Sequence, residues 1–416
     1  MGFNFLITAM ALLVPSVWAF GPKEALLYQS AELGAARASL QAAQGGLLAA
    51  NLGLGANFSA ERSGAWDGLA NNYAASLQWQ WDGLKRLQAG QAVERAQREI
   101  ERVRREGVKG ALLAHANLWA AQNRFRAAEL RLQAAKGRTA EIERKAALGA
   151  ISALQTEEAQ LSLKQSELGV RQAQSGLSAA RAEARRYGLA GEAEAEVLRF
   201  ATTNIAADQT PTFLETQSAL ALSEARLSDA RSKVFPRLSL GAGFVGRDLA
   251  FSTGISNTGL SFNPTASLGL DTSQRLSSAL IAAGAKEEWR FSLKAEVPLS
   301  LEVVSGLQSL EAEREGAAVR LSKTLDELRL RLEQLKGEAA AAGENLELAQ
   351  LRRDLAVRQT RVVQAKAQAG SASVLDVLEA QANEADVESQ VAIAWQGYVN
   401  AVAAHLDLAG GEWRIE

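Results

Sequence analysis

A chain of 416 residues with 47% hydrophobic content can bury a large core, but its net charge of -2 gives no electrostatic footprint for a polyanion such as nucleic acid. The absence of cysteine excludes disulfides, thiolate catalysis, most structural zinc sites and a lipid anchor on an N-terminal Cys. Only 6 prolines occur, none from Lys23 to Thr210, so very long helices are permitted.

The apolar run from Phe3 to Trp18 is too short to span a bilayer comfortably, and Ala19 offers a small residue at a peptidase site. Residues 1–19 are therefore predicted to be a signal peptide. No later stretch approaches 18 uninterrupted apolar residues, so no transmembrane helix is expected.

Period-two alternation follows. Leu52, Leu54, Ala56 and Phe58 alternate with small or polar residues, as do Tyr73, Ala75, Leu77, Trp79 and Trp81, which predicts strands over about 48–60 and 73–83. From Leu84 to Lys145 the pattern is helical, about 90 Å if continuous, with breaks or bends expected at Gly90, Gly107, Gly110 and Gly137. After a turn near Gly149, two lines of apolar residues spaced by seven, Leu154/Leu161/Leu168 and Leu163/Val170/Leu177, imply two lateral neighbours for one helix.

The second half repeats this order. Strands are predicted over about 236–247 and 289–301, separated by a long loop from Arg247 to Glu288. The alternating segment Phe262 to Asp271 within that loop reads as an external extension or an extra hairpin. A coiled-coil seam then steps through Leu321, Leu325, Leu328, Leu332, Leu335, Ala339, Ala342, Leu346 and Ala349. The motif Lys145 to Gln160 recurs as Lys366 to Gln381, a constant shift of 370 − 149 = 221, which divides the chain into repeats 20–205 and 206–416.

The strands fit either a soluble antiparallel sheet or a membrane barrel with a wet lumen; two hairpins cannot close a barrel, so the second requires an oligomer. Trp66, Trp79, Trp81 and Trp289 suit interfacial girdles. Gly241-Ala-Gly243-Phe-Val-Gly246 matches a dinucleotide fingerprint only formally, because no helix N-terminus follows to receive a pyrophosphate. His115 and His405 stand apart in helical stretches and read as packing or surface residues. No catalytic residue, cofactor or metal site is expected, and the chain does not read as an enzyme.

The order of these elements, with the turn Gly370-Ser-Ala-Ser-Val374-Leu375-Asp376-Val377-Leu378-Glu379-Ala380 and its counterpart from Gly149, resembles the TolC-type outer membrane factors. Trp81-Asp82-Gly83, Val234-Phe235-Pro236 and the segment Tyr398 to Gly410 add to the resemblance. It implies a mainly α chain with a β-barrel portion, assembling as a homotrimer with four strands per chain in a 12-stranded outer-membrane barrel continued by a periplasmic α-helical barrel. It implies a passive exit duct for efflux or type I secretion, gated by a periplasmic adaptor protein and an inner-membrane transporter. Asp376 and Glu379 would line the constriction, and Gly149, Ile151, Gly370 and Val374 would lie at the docking tip. Gln155 and Ala372 depart from the family pattern and argue against a salt-bridged lock. A periplasmic adaptor or a soluble coiled-coil protein are the competing readings, and the cargo is not legible.

Overall fold

Alanine-rich segments without internal proline build the helices and alternating segments build the sheet, and in each half helix is followed by strands and then by two long helices. The computed structural model describes residues 22–28, 30–52, 54–63, 70–80, 83–202, 204–234, 237–245, 249–256, 259–269, 288–296 and 301–416. The expected signal peptide, Trp66 and Trp81 lie outside them. The first half runs α1 (Pro22–Ala25), α2 (Ala31–Leu52), β1 (Leu54–Ser63), β2 (Ala70–Gln80), α3 (Gly83–Ala147) and α4 (Ala153–Arg186). The second runs α5 (Pro211–Val234), β3 (Arg237–Val245), β4 (Leu249–Ser256), β5 (Gly259–Gly269), β6 (Glu288–Glu296), α6 (Leu301–Gln368) and α7 (Val374–Ala409).

The chain divides into two compact units that are not its two repeats, because each draws segments from both. One unit, formed by residues 35–100 and 211–327, holds the sheet. Its six strands are ordered β1-β2-β5-β4-β3-β6, and every neighbouring pair is antiparallel. The four strands of the two expected hairpins are thus joined by a third hairpin, β4-β5, which enters the sheet between β2 and β3 instead of lying outside it. Thr253 and Gly254, expected in a loop, belong to β4. Residues 48–52, expected in the first strand, complete α2, whose Leu- and Ala-rich end continues a helical pattern.

Register aligns the alternation across all six strands. Leu54, Trp79, Leu260, Ile255, Leu240 and Leu293 form one row, and Gly55, Gln78, Ser261, Gly254, Gly241 and Ser292 form the next. One face of the sheet is therefore apolar and the other polar or small. The β2-β5 pairing lapses beside Pro264, whose missing N–H cannot serve a ladder.

The second unit, residues 1–34, 101–210 and 328–416, is helical. Its core gathers Leu112, Trp119, Phe200, Leu346, Val391, Trp395, Val399 and Leu406. The Trp395 indole N–H donates to the Leu198 carbonyl (3.0 Å), and the Tyr398 hydroxyl donates to the Phe200 carbonyl (3.0 Å) and accepts from its amide (2.9 Å). These bonds fasten the segment that follows α4 to α7. His115 is fully buried and meets Trp395 edge to face at 5.6 Å, a packing role.

α3 runs unbroken through Gly90, Gly107, Gly110 and Gly137, and two of these glycines admit close neighbours. A Cβ at Gly110 would stand 2.4 Å from the Tyr187 hydroxyl oxygen, and one at Gly137 would stand 2.6 Å from Leu375 Cδ2. The seam on α6 packs inward as expected, with Leu328, Leu332, Leu335, Ala339 and Leu346 buried.

Candidate functional site

The two turns are built alike, down to individual hydrogen bonds. Gly149 and Gly370 both take φ 73°, which glycine adopts without a Cβ penalty. Gly149 N–H donates to Ala146 (2.9 Å) and Ala150 N–H to Lys145 (3.0 Å); Gly370 N–H donates to Ala367 (3.0 Å) and Ser371 N–H to Lys366 (2.9 Å). Each following helix opens with a capping box, in which two unpaired amides are satisfied reciprocally. Ser152 Oγ accepts from the Gln155 amide while Gln155 Oε1 accepts from the Ser152 amide at 3.2 Å, and Ser373 and Asp376 repeat the exchange at 3.1 and 2.8 Å. Behind each turn a threonine hydroxyl joins the two helices. Thr139 Oγ1 lies 2.9 Å from the Ala135 carbonyl and 3.3 Å from that of Ala159; Thr360 Oγ1 lies 3.1 Å from Ala356 and 3.2 Å from Ala380.

This geometry gives Asp376 a structural task. Its carboxylate accepts from both the amide and the hydroxyl of Ser373, each at 2.8 Å, and these bonds hold its pKa below the usual carboxylate value, with Arg138 adding a smaller pull. Gln155 stands in the same place in the first half because an amide oxygen caps as well as a carboxylate does. Glu379 has a different partner, forming an ion pair with Arg138 of α3.

Arg131 and Asp386 make a second such pair between α3 and α7. The spacing is one heptad on both helices, 138 − 131 = 7 and 386 − 379 = 7, as antiparallel neighbours require. A basic partner for Glu379 therefore exists, although Ala372 does not supply it. The matched heptad spacing of opposite charges was the signal available in the sequence. Arg131, Arg138, Ile142, Ile151, Gln155 and Glu379 border a groove of about 660 Å³.

The remaining tip residues are accessible. Gly149, Gly370 and Val374 are exposed, and Ile151 is partly so. Trp79 pairs in register with Leu54 and Leu260, and Trp289 with Phe244.

Among the described residues, two apolar stripes of the helical unit are left uncovered. Leu154, Leu161 and Leu168 of α4 are 64, 57 and 55% exposed, whereas Leu177, on the other line of the same helix, is buried. On α6, Leu348, Leu355 and Val362 are likewise exposed at a spacing of seven. In the sheet, Leu240, Phe291 and Leu293 are 60, 77 and 76% exposed on its apolar face. Among the described residues no helix is long and apolar enough to cross a membrane.

No protein-family model and no curated relative matches this sequence. Solved structures do match its fold. The CmeC outer membrane channel of Campylobacter jejuni aligns with TM-score 0.60 and 14% identity over 94% of this chain and 85% of its own. CusC, which forms a transmembrane channel, aligns with TM-score 0.59 and 16% identity over 94% and 91%. The outer membrane protein VceC of Vibrio cholerae aligns with TM-score 0.57 and 16% identity over 94% and 96%. At these identities the likeness is one of architecture: the chain has the fold of these outer membrane channel proteins.

Proposed function

We propose that the chain is the subunit of a passive exit duct, a homotrimer whose sheets close into an outer-membrane barrel and whose helices continue it through the periplasm. The observation that carries this reading is the uncovered apolar face of the sheet. A soluble sheet buries that face against a second layer, whereas a barrel in lipid presents it to the acyl chains and keeps its polar face toward a wet lumen. Among the described residues nothing covers Leu240, Phe291 and Leu293, and six strands are too few to close alone. The stripes on α4 and α6 fit the same reading, since a head-to-tail ring brings two different surfaces of neighbouring copies together.

The paired turns form the periplasmic mouth. An adaptor protein docks at Gly149, Ile151, Gly370 and Val374, and the inner-membrane transporter supplies the energy. Glu379 acts in the gate through Arg138, with Arg131 and Asp386 as the second contact. These side chains are substantially exposed, with values of 56 and 27% for Arg131 and Asp386 and 55 and 43% for Arg138 and Glu379. Pairs of that kind hold about 0.2–1 kcal/mol each, weak enough for docking to pull α7 away from α3. Asp376 caps its helix and places a negative charge at the same mouth.

The test is fractionation with cross-linking of the full-length protein. Recovery in the outer membrane as a cross-linked trimer supports the duct, and recovery as a monomer without detergent contradicts it.

A further inference from the structure

We infer that the contact between neighbouring copies repeats the contact between α3 and α7 inside one chain, with α6 of one copy seated against α4 of the next, and that leucines hold this seam where ion pairs hold the inner one. The inference rests on the trimeric reading above only for the existence of a neighbouring copy.

The helical unit supplies the frame. Thr139 joins α3 to α4, Thr360 joins α6 to α7, and the pairs Arg138–Glu379 and Arg131–Asp386 join α3 to α7, so the four helices stand in the order α4-α3-α7-α6. The outer two carry the uncovered stripes. The repeats are related by a shift of 370 − 149 = 221 residues, so α3 corresponds to α6 and α4 to α7. Moved by one repeat, the inner contact α3–α7 becomes a contact of α6 with α4. These are opposite edges of the row, so that α4 belongs to another copy.

Burial follows the same correspondence. Leu161 and Leu168 of α4 are exposed, while their counterparts on α7, Ala382 and Ser389, are buried. Leu348 and Leu355 of α6 are exposed, while their counterparts on α3, Ala127 and Ala134, are buried. The grooves agree. Ala356, Gln359, Val363 and Ala380 border a groove of about 410 Å³ between α6 and α7, and their counterparts Ala135, Arg138, Ile142 and Ala159 border the 660 Å³ groove between α3 and α4. Glu379 and Ala382 of α7 add a third wall to the second groove. The described residues bordering the first come from α6 and α7 alone, and the shift assigns its third wall to Glu158 and Leu161 of a neighbouring α4.

The register agrees as well. Shifted by one repeat, Arg138–Glu379 becomes Gln359–Glu158 and Arg131–Asp386 becomes Arg352–Gln165, so each pair keeps a single charge. On one side of Gln359–Glu158, Leu355 and Leu161 stand four and three residues away; on the other, Val362 and Leu154 stand three and four away. The two stripes therefore run side by side on antiparallel helices. Salt weakens exposed ion pairs and leaves apolar burial in place, so the inner seam beside the proposed gate can loosen while the seam between copies holds. The ring opens at its mouth without coming apart.

The chain lacks cysteine, so introduced pairs report without background, and Leu161 and Leu355 are exposed, so replacing them spares the core. Full-length Leu161→Cys/Leu355→Cys and the offset pair Leu168→Cys/Leu355→Cys are oxidised in outer membranes and run without reductant. The offset is one heptad, about 10 Å along the helix, beyond the reach of a disulfide. Copy number is measured separately, by the mass of the unoxidised protein in detergent. The expected result is a trimer that survives 1 M salt, with most Leu161→Cys/Leu355→Cys chains linked to a neighbour and almost none of the offset pair. A trimer in which the first pair stays unlinked, in which the offset pair links as readily, or which dissociates in 1 M salt overturns the inference and leaves the trimeric reading standing. A protein that is monomeric by mass overturns both.

Discussion

Arg138 of α3 and Glu379 of α7 form an ion pair between the helix that enters the first turn and the helix that leaves the second, and Arg131 with Asp386 repeats it one heptad further from the turns. The two halves of the duplicated chain are thus tied to each other beside the proposed mouth. Both pairs are solvent-accessible, so a double-mutant cycle on Arg138→Ala and Glu379→Ala, read by thermal unfolding, should give a coupling of about 0.2–1 kcal/mol. That coupling should largely disappear in 1 M salt.

The capping boxes separate two roles for Asp376. Ser373→Ala removes the side-chain acceptor for the Asp376 amide, and should cost about 1 kcal/mol in chemical unfolding. Asp376→Asn should fold almost as well as the wild type, because Gln155 performs the same task with an amide. The folded-state pKa of Asp376 lies below its ordinary 3.8, so its contribution is present above that value and is lost as pH falls through the folded pKa. Amide exchange near Val374 to Leu378 should therefore accelerate in acid in the wild type and much less in Asp376→Asn.

Glu388 responds in the opposite sense. Burial raises its pKa, outweighing the pull of Arg353, so ionising it opposes folding as pH rises through the folded value. Glu388→Gln should raise the midpoint of thermal unfolding at pH 7–8. The gain should vanish below about pH 4.5, where both states of the wild type are protonated.

Trp395 is fully buried, and its indole is bonded to the segment that follows α4. Trp395→Ala should cost about 3–5 kcal/mol, measurable as a lower urea midpoint. It should also expose the chain near Leu198 to proteolysis.

The sequence disclosed the order of elements because period and composition are local properties. The constant shift of 221 residues predicted two equivalent turns, and the same shift relates Thr139 to Thr360 and Gln155 to Asp376 in their bonding. Close approaches were not legible. Gly110 and Gly137 suggested breaks, yet they receive Tyr187 and Leu375, which are distant along the chain. The β4 strand was obscured by Thr253 and Gly254, whose types suit a loop and whose place in the sheet depends on Phe262 and Gly241 across it. At the tip, the motif drew attention to Asp376 and Glu379, while Arg138 and Arg131, which give Glu379 and Asp386 their partners, lie in another repeat.

Single-channel conductance in planar bilayers tests the central claim, a gated trimeric duct, most directly. The wild-type trimer should conduct weakly, the charge reversal Glu379→Arg should raise conductance or open probability several-fold, and Arg138→Glu/Glu379→Arg should return it toward the wild-type value. A purified trimer that inserts yet stays non-conducting in all three forms, or conducts equally in all three, would contradict the account.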